Sequence, residues 1–357
     1  MGSYAFFASY APEHIMLRAP NWLGDCIMAV PGMKAFRQHY ADARISVAGQ
    51  KPLLDLYASQ PWCDSVVPVE QAGGIGGLHR SFRSIKQCAF DMAVVYPNSF
   101  RSALETFLAR IPVRLGYARD GRSLLLTHRV QADRDIRTVH QVLYYMRLAH
   151  AVIKADPKPA VENRDDVPVP QITVTEQARE TARNILRSRL NADPQERKPA
   201  VWAPGAAYGP AKQWPEEHVV RTVKDLFSSR GIQTVLTGSP AEKDVCGRIE
   251  ESAPEAAVSV CGETGLAELS GIISWACLFA GNDSGASHLA AALGVPVLVL
   301  FGSTSPAHTM PRSPDADFIT LDLECSPCMK RRCPLKHRKC LYDITPEMVI
   351  EKIGALL

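Results

Sequence analysis

Asp283, Ser284, Gly285 and His288 carry the clearest chemical signal in the chain, inside AGNDSGASHLAAALGVPVLVLFG from Ala280 to Gly302. The pattern predicts a buried strand, an Asn-Asp-Ser-Gly turn, a small-residue helix and a second buried strand. A helix that starts just beyond a strand offers unpaired backbone N–H groups and the positive end of its dipole, so an anion fits there, phosphate above all. Ser284 and His288 share one helical face, while Ala286, Leu289, Ala290 and Leu293 can pack toward a sheet. Beside a diphosphate, the Asp283 carboxylate must aim elsewhere, either back at the helix amides as a cap or out at sugar hydroxyls.

Two further segments bring side chains to strand ends. In WAPGAAYGPAKQWPEEH, Trp202 to His218, Gly205 and Gly209 allow tight turns and Lys212 adds a mobile ammonium. Pro215, Glu216 and Glu217 then start a helix expected to stop at Arg230-Gly231. In VLTGSPAEKD, Val235 to Asp244, Glu242 is either an acceptor for ribose hydroxyls or an ordinary helix-start glutamate. Near the N-terminus, RAPNWLGDCIMAVPGMKAFRQHY, Arg18 to Tyr40, sets Asp25 just past a strand. It reads as a general base or an N-cap, on a helix expected to break or kink near Pro31.

The tail CSPCMKRRCPLKHRKC spaces Cys325, Cys328, Cys333 and Cys340 as C-x2-C-x4-C-x6-C, with His337 between the last two. Four thiolates at such spacing suit a structural zinc ion, with redox-active or simply buried thiols as alternatives. Asp-x-Asp, a pattern that recruits divalent metals in some enzymes, occurs at Asp133 to Asp135 and Asp315 to Asp317, where both copies read as solvated turns. GGIGG at Gly73 to Gly77 lacks a helical pattern and a distant acidic partner, so it reads as a flexible surface loop. Gly209 to Lys212 lacks P-loop spacing.

These residues need a scaffold, and the apolar pattern supplies one. Short β-branched runs at Ile15 to Ala19, Ile45 to Ala48, Val66 to Val69, Met92 to Tyr96 and Val113 to Gly116 alternate with helical patterns. The alternation restarts at Ala200 to Ala203, Ile232 to Thr237, Ala257 to Cys261, Cys277 to Gly281, Val295 to Phe301 and Phe318 to Leu321. This is the signature of βαβ units around parallel sheets. The expectation is an α/β chain of two Rossmann-like domains facing across a cleft, with ligands at the carboxyl ends of the strands. The first domain is placed at 1–160, a Pro-rich, charged linker at 161–171, the second domain at 172–345 and a terminal helix at 346–357.

Bulk properties agree. At 357 residues and 46% hydrophobic, the chain can bury two cores. A net charge of +3 gives no reason to expect nucleic-acid binding. Ten irregularly spaced cysteines do not resemble a secreted disulfide framework, which points to a reducing compartment. The opening MGSYAFFASYAPEH reads as neither a secretory signal nor a membrane span, and no apolar stretch of transmembrane length follows, so any membrane contact is expected from the surface.

PNWLGD at Pro20 to Asp25, YPNSFRSAL at Tyr96 to Leu104, PGAAYGPAKQWP at Pro204 to Pro215 and NDSGASHLAAAL at Asn282 to Leu293 together resemble the ADP-heptose:lipopolysaccharide heptosyltransferases, the type II group in particular. The resemblance implies a GT-B enzyme with an acceptor-binding first domain and a nucleotide-sugar-binding second domain. It implies inverting transfer of L-glycero-D-manno-heptose from ADP-heptose to the first heptose of the lipopolysaccharide inner core. Asp25 would be the catalytic base. Lys212 and the amides near Ser284 and Gly285 would hold the diphosphate, His288 would support that site, Asp283 would contact the sugar and Glu242 the ribose. No catalytic metal is expected, since Lys212 and a helix N-terminus can carry the leaving charge.

An anionic, lipid A-linked acceptor calls for a basic first domain. Arg80, Arg83, Lys86, Arg101, Arg110, Arg114, Arg119 and Arg122 are available, with Arg119 and Arg122 the preferred contacts. The implied location is cytoplasmic, peripheral to the inner face of the inner membrane. Competing readings are heptosyltransferase I, another heptose transferase, a nucleotide-sugar epimerase of the same fold, and a binding module with a dead site.

Overall fold

The computed structural model describes residues 4–70, 74–131, 139–154 and 167–357. The chain divides into two compact units, Met1–Gln171 and Ile172–Leu357. The proposed linker lies largely outside the described residues, as does the Asp133 to Asp135 pattern.

In the first unit the order is β1 (His14–Arg18), α1 (Leu23–His39), β2 (Arg44–Gly49), α2 (Lys51–Ala58), β3 (Ser65–Pro68) and α3 (Gly74–Gln87). It continues through β4 (Met92–Val95), α4 (Phe100–Leu108), β5 (Val113–Tyr117), β6 (His128–Val130) and α5 (Gln141–Ile153). The strands form one parallel sheet in the order β3-β2-β1-β4-β5-β6. β1, β2 and β4 are buried almost throughout because helices cover both faces, which is why they read as continuous apolar runs.

The second unit repeats the plan. It runs α6 (Glu176–Arg189), β7 (Ala200–Ala203), α7 (Glu216–Arg230), β8 (Thr234–Leu236), α8 (Lys243–Ser252), β9 (Ala257–Ser259) and α9 (Leu266–Ser274). Then come β10 (Leu278–Asn282), α10 (Gly285–Ala292), β11 (Val297–Phe301), α11 (Pro306–Thr309), β12 (Ala316–Thr320), α12 (Lys339–Tyr342) and α13 (Pro346–Leu356). The sheet order β12-β11-β10-β7-β8-β9 is the same Rossmann topology, read from the other edge. Stacked Trp202 and Trp214, with ring centroids 5.7 Å apart, sit in its core. α13 docks on α7, burying Val349 and Ile353, a placement that no pattern in the sequence specified.

Every strand expected from the apolar runs is present within a few residues, and among the described residues the three-residue β6 is the one that escaped. α7 ends at Arg230 with Gly231 in the left-handed region (φ 66), as its Arg-Gly stop predicts. Three local expectations fail. The break expected as one of two outcomes at Pro31 does not occur: α1 runs from Leu23 to His39, because a proline in mid-helix forfeits one hydrogen bond without obliging the helix to end. GGIGG does not form a loop: Gly74 to Gly77 begin α3, whose buried Gly77, Ser81 and Ile85 recur every fourth residue. Asp317 lies in β12 and pairs with Lys352 at 2.7 Å, so that second Asp-x-Asp copy is not a solvated turn.

Candidate active site

In such sheets the crevice for a ligand opens where strand order reverses. In the second unit that point lies between β7 and β10, neighbours that continue into the Pro204 to Pro215 loop and the Asp283 turn. The Asn282 side chain, 1% exposed, joins the two. Its Nδ2 donates to Pro204 O at 2.8 Å and Gly205 O at 3.0 Å, while its Oδ1 accepts from Trp214 N at 3.0 Å. One buried amide thus pins both ends of the loop that carries Lys212.

Lys212 Nζ donates to Asp283 Oδ2 at 2.5 Å and to Asp283 O at 3.3 Å, and stands 4.8 Å from the centre of the Tyr208 ring. Thr304 Oγ1, just beyond β11, donates to the same carboxylate oxygen at 2.7 Å. The Lys212 and Asp283 side chains are only 12% and 5% exposed. Asp283 is therefore not a helix cap: Ser284 occupies the N-cap of α10, and its own side chain caps nothing. The hydroxyls of Ser284 and Ser303 are buried without a hydrogen-bond partner at this strand edge. His288, buried one turn into α10, is held neutral at physiological pH: its pKa is lowered to about 4, chiefly by burial, with Asp283 opposing the shift and the Lys212 charge adding to it.

Glu242 meets the bland expectation more closely than the sharp one. Its Oε2 accepts from Ser239 N at 2.7 Å and Ser239 Oγ at 2.8 Å, forming a capping box ahead of α8. The carboxylate also abuts the Lys212 loop, since a Cβ at Gly205 would come 1.9 Å from Glu242 Oε1. Any larger residue at position 205 would have to push the Glu242 carboxylate out of its capping box.

In the first unit the order reverses between β1 and β4. Asp25 sits there, half-buried in the first turn of α1, where a negative charge gains from the helix dipole. The N-cap is Trp22, so the capping reading of Asp25 falls. Burial, and then the nearby Asp25 charge, hold the phenol of Tyr145 on α5 well above its ordinary pKa. Arg122 is a correction. It is fully buried, and its guanidinium donates to Tyr117 O at 2.9 Å and also to Pro97 O, spending its donors on β4 and β5 strand-end carbonyls rather than facing a substrate. Arg119 is half-buried near the Tyr144 phenol, which donates to Asn98 Oδ1 at 2.9 Å. Part of the expected basic face is neutralised: Arg80 pairs with Glu70 at 2.7 Å and Arg101 with Glu105 at 3.2 Å.

The four tail cysteines and His337 line one small cavity of about 20 Å³ together with Ala211 and Ser303. Among the described residues, no three His, Cys, Asp or Glu side chains are grouped so as to hold a metal ion. The tail also braces the Lys212 loop: Tyr208 Oη donates to Met329 O at 2.9 Å, and Ala211 N donates to Arg331 O at 3.2 Å.

Residues 78–339 match the model of glycosyltransferase family 9, the heptosyltransferases. The chain belongs to glycosyltransferase family 9. Family members with similarity along nearly the whole length include lipooligosaccharide heptosyltransferase 2 of Haemophilus influenzae, 30% identical over 96% of this chain and 99% of that protein. Lipopolysaccharide heptosyltransferase 2 of Salmonella typhimurium is 31% identical over 96% of this chain and 98% of the relative. The solved structure of Escherichia coli ADP-heptose LPS heptosyltransferase II superposes with a TM-score of 0.80 at 30% identity, covering 96% of this chain and 98% of the other. With these family members as neighbours, the two Rossmann-like units are those of a GT-B glycosyltransferase. Asn282, Thr304 and Tyr145 escaped the sequence reading. Thr304 and Ser303 follow a predicted strand, the same rule that exposed Lys212, whereas nothing local marks Tyr145.

Proposed function

We propose that this chain is an inverting glycosyltransferase that moves L-glycero-D-manno-heptose from ADP-heptose to the first heptose of the lipopolysaccharide inner core. The observation that carries this is the full-length similarity to heptosyltransferase 2 proteins, together with the Lys212, Asp283 and Ser284 cluster at the strand reversal of the second sheet. In this reading the acceptor hydroxyl gives its proton to Asp25 as its oxygen attacks the anomeric carbon. The bond from that carbon to the diphosphate oxygen breaks on the opposite face, and ADP leaves with the electron pair.

Lys212 and the α10 amides at Ser284 and Gly285 take the diphosphate charge, neutral His288 supports them, and Asp283 contacts the sugar. Glu242 lies against Gly205 at the ribose end, and Arg119 faces the acceptor. No divalent metal is needed for this division of labour. Zinc on Cys325, Cys328, Cys333 and Cys340 would be structural. The acceptor places the enzyme in the cytoplasm at the inner membrane surface. No helix among the described residues is long and apolar enough to cross a membrane.

The decisive assay offers ADP-heptose with acceptors truncated before and after the first heptose. Product on the mono-heptosylated acceptor is expected. Product on the heptose-free acceptor alone would make the chain a first-heptose transferase, and a changed sugar without any acceptor would make it an epimerase. Asp25→Asn should lose at least about 10²-fold in turnover while binding ADP-heptose normally.

A further inference from the structure

We propose that Arg331, in the cysteine-rich tail, binds the donor diphosphate and supplies the positive charge that Lys212, already paired, does not. The inference rests on the reading that the Lys212, Asp283 and Ser284 cluster receives that diphosphate. Lys212 donates to Asp283 at 2.5 Å, so the pair brings almost no net charge to the site. His288 beside it is neutral. What the cluster itself adds is the amide end of α10, equivalent to about half an elementary charge. A diphosphate ester is an anion, and it gains a further negative charge when it leaves with the bonding electrons. A second cation at this edge would meet that charge.

The tail runs across the edge and is fixed there by hydrogen bonds at both ends. Ser326 Oγ donates to Gly302 O at 2.6 Å and Met329 N to Ser303 O at 2.7 Å, tying it to the end of β11. Tyr208 Oη donates to Met329 O at 2.9 Å and Ala211 N to Arg331 O at 3.2 Å, tying it to the Lys212 loop after β7. In the sheet β10 lies between β11 and β7, so a segment that joins their ends passes the Asp283 turn. Gly209 permits the approach: its φ of 144 lies where side chains are rarely found, and a Cβ there would come 2.6 Å from Arg331 O.

Between Cys325 and Cys340 the tail holds six Lys and Arg and no Asp or Glu. Arg331 is placed at the donor cluster, with its Cζ 5.3 Å from the centre of the Tyr208 ring and Lys212 Nζ 4.8 Å from the same centre. The two cations are therefore at most about 10 Å apart, a gap that a diphosphate bridges with a hydrogen bond of about 2.8 Å at each end. Arg331 is exposed and, among the described residues, has no carboxylate partner, so its planar fork is open to an anion.

Calorimetric titration with ADP tests this. Arg331→Met should bind ADP about 10-fold more weakly, the loss expected of one charge-assisted contact, and lower kcat/KM for ADP-heptose about 10²-fold, because the leaving charge exceeds the bound one. Arg331→Lys, which keeps the charge and loses the fork, should recover part of both. The tail is held through the Arg331 backbone, so Tm of Arg331→Met should stay within about 2 °C of wild type. Arg332→Met makes the same change in net charge one residue further along and should leave ADP affinity within about twofold. Equal losses in Arg331→Met and Arg332→Met would reduce the effect to the general field of a basic tail and overturn the inference. So would an Arg331→Met affinity within about twofold of wild type beside a weakened Lys212→Met. Wild-type affinity in both Arg331→Met and Lys212→Met would instead overturn the donor-site reading, and this inference with it.

Discussion

Lys212→Met tests the donor cluster most directly. It removes the ammonium from an ion pair whose partner, Asp283, is 5% exposed at the side chain. Stranding a buried carboxylate costs about 3 to 5 kcal/mol, and the low end applies because Thr304 still donates at 2.7 Å. For a unit the size of Ile172–Leu357, about 3 kcal/mol corresponds to a fall of roughly 6 to 12 °C in Tm. Asp283→Leu alone should cost about 2 kcal/mol, since Lys212 keeps the Asp283 carbonyl and a partly exposed stem. The double variant buries no unpaired charge and should lose only about 1 kcal/mol, the orphaned Thr304 hydroxyl. The cycle therefore predicts a coupling of about 4 kcal/mol. Urea unfolding followed by the stacked Trp202 and Trp214 reads it in this unit. Calorimetry adds a second readout: Lys212→Met should bind ADP about 10- to 100-fold more weakly, the worth of one charge-assisted hydrogen bond. Losses that add within about 0.5 kcal/mol, with unchanged ADP affinity, would refute both the pair and its role.

His288 gives a pH signature. Its pKa falls from 6.5 unfolded to about 4 folded, so between those values the unfolded chain binds more protons. Its contribution is complete above about pH 6.5 and falls by up to about 3 kcal/mol as pH drops toward 4; His288→Gln should flatten that part of the stability curve, and an unaltered curve would count against it. Arg122→Met should destabilise the first unit by about 2 to 3 kcal/mol and leave acceptor KM within about twofold, whereas a raised KM in a fully stable variant would return Arg122 to the acceptor site. A chelator should leave turnover unchanged; abolished turnover would defeat metal-independent transfer. Elemental analysis finding less than about one zinc per four chains would make a structural metal on the tail cysteines untenable.

Much of the fold was legible because parallel strands buried on both faces must be apolar throughout, and such runs stand out between helical patterns. β1, β4, β7, β10 and β11 were visible for this reason, and with them the strand ends that carry Asp25, Lys212 and Asp283. The sequence alone also determined the stop of α7 at Gly231, because a left-handed cap is a property of one residue.

What only the tertiary structure decided is where each polar group spends its hydrogen bonds. Asp283 had two outlets in the sequence, a helix or a sugar, and the fold supplied a third in Lys212, 71 positions away along the chain. Arg122 was available as a surface cation until the turn after β5 folded it onto the Pro97 and Tyr117 carbonyls. Tyr145 was one aromatic among many on an apolar helix, and the packing of α5 on α1 brought its ring into the neighbourhood of Asp25. Periodicity fixes which face of an element is buried, but the partner of a buried polar atom depends on contacts remote in sequence.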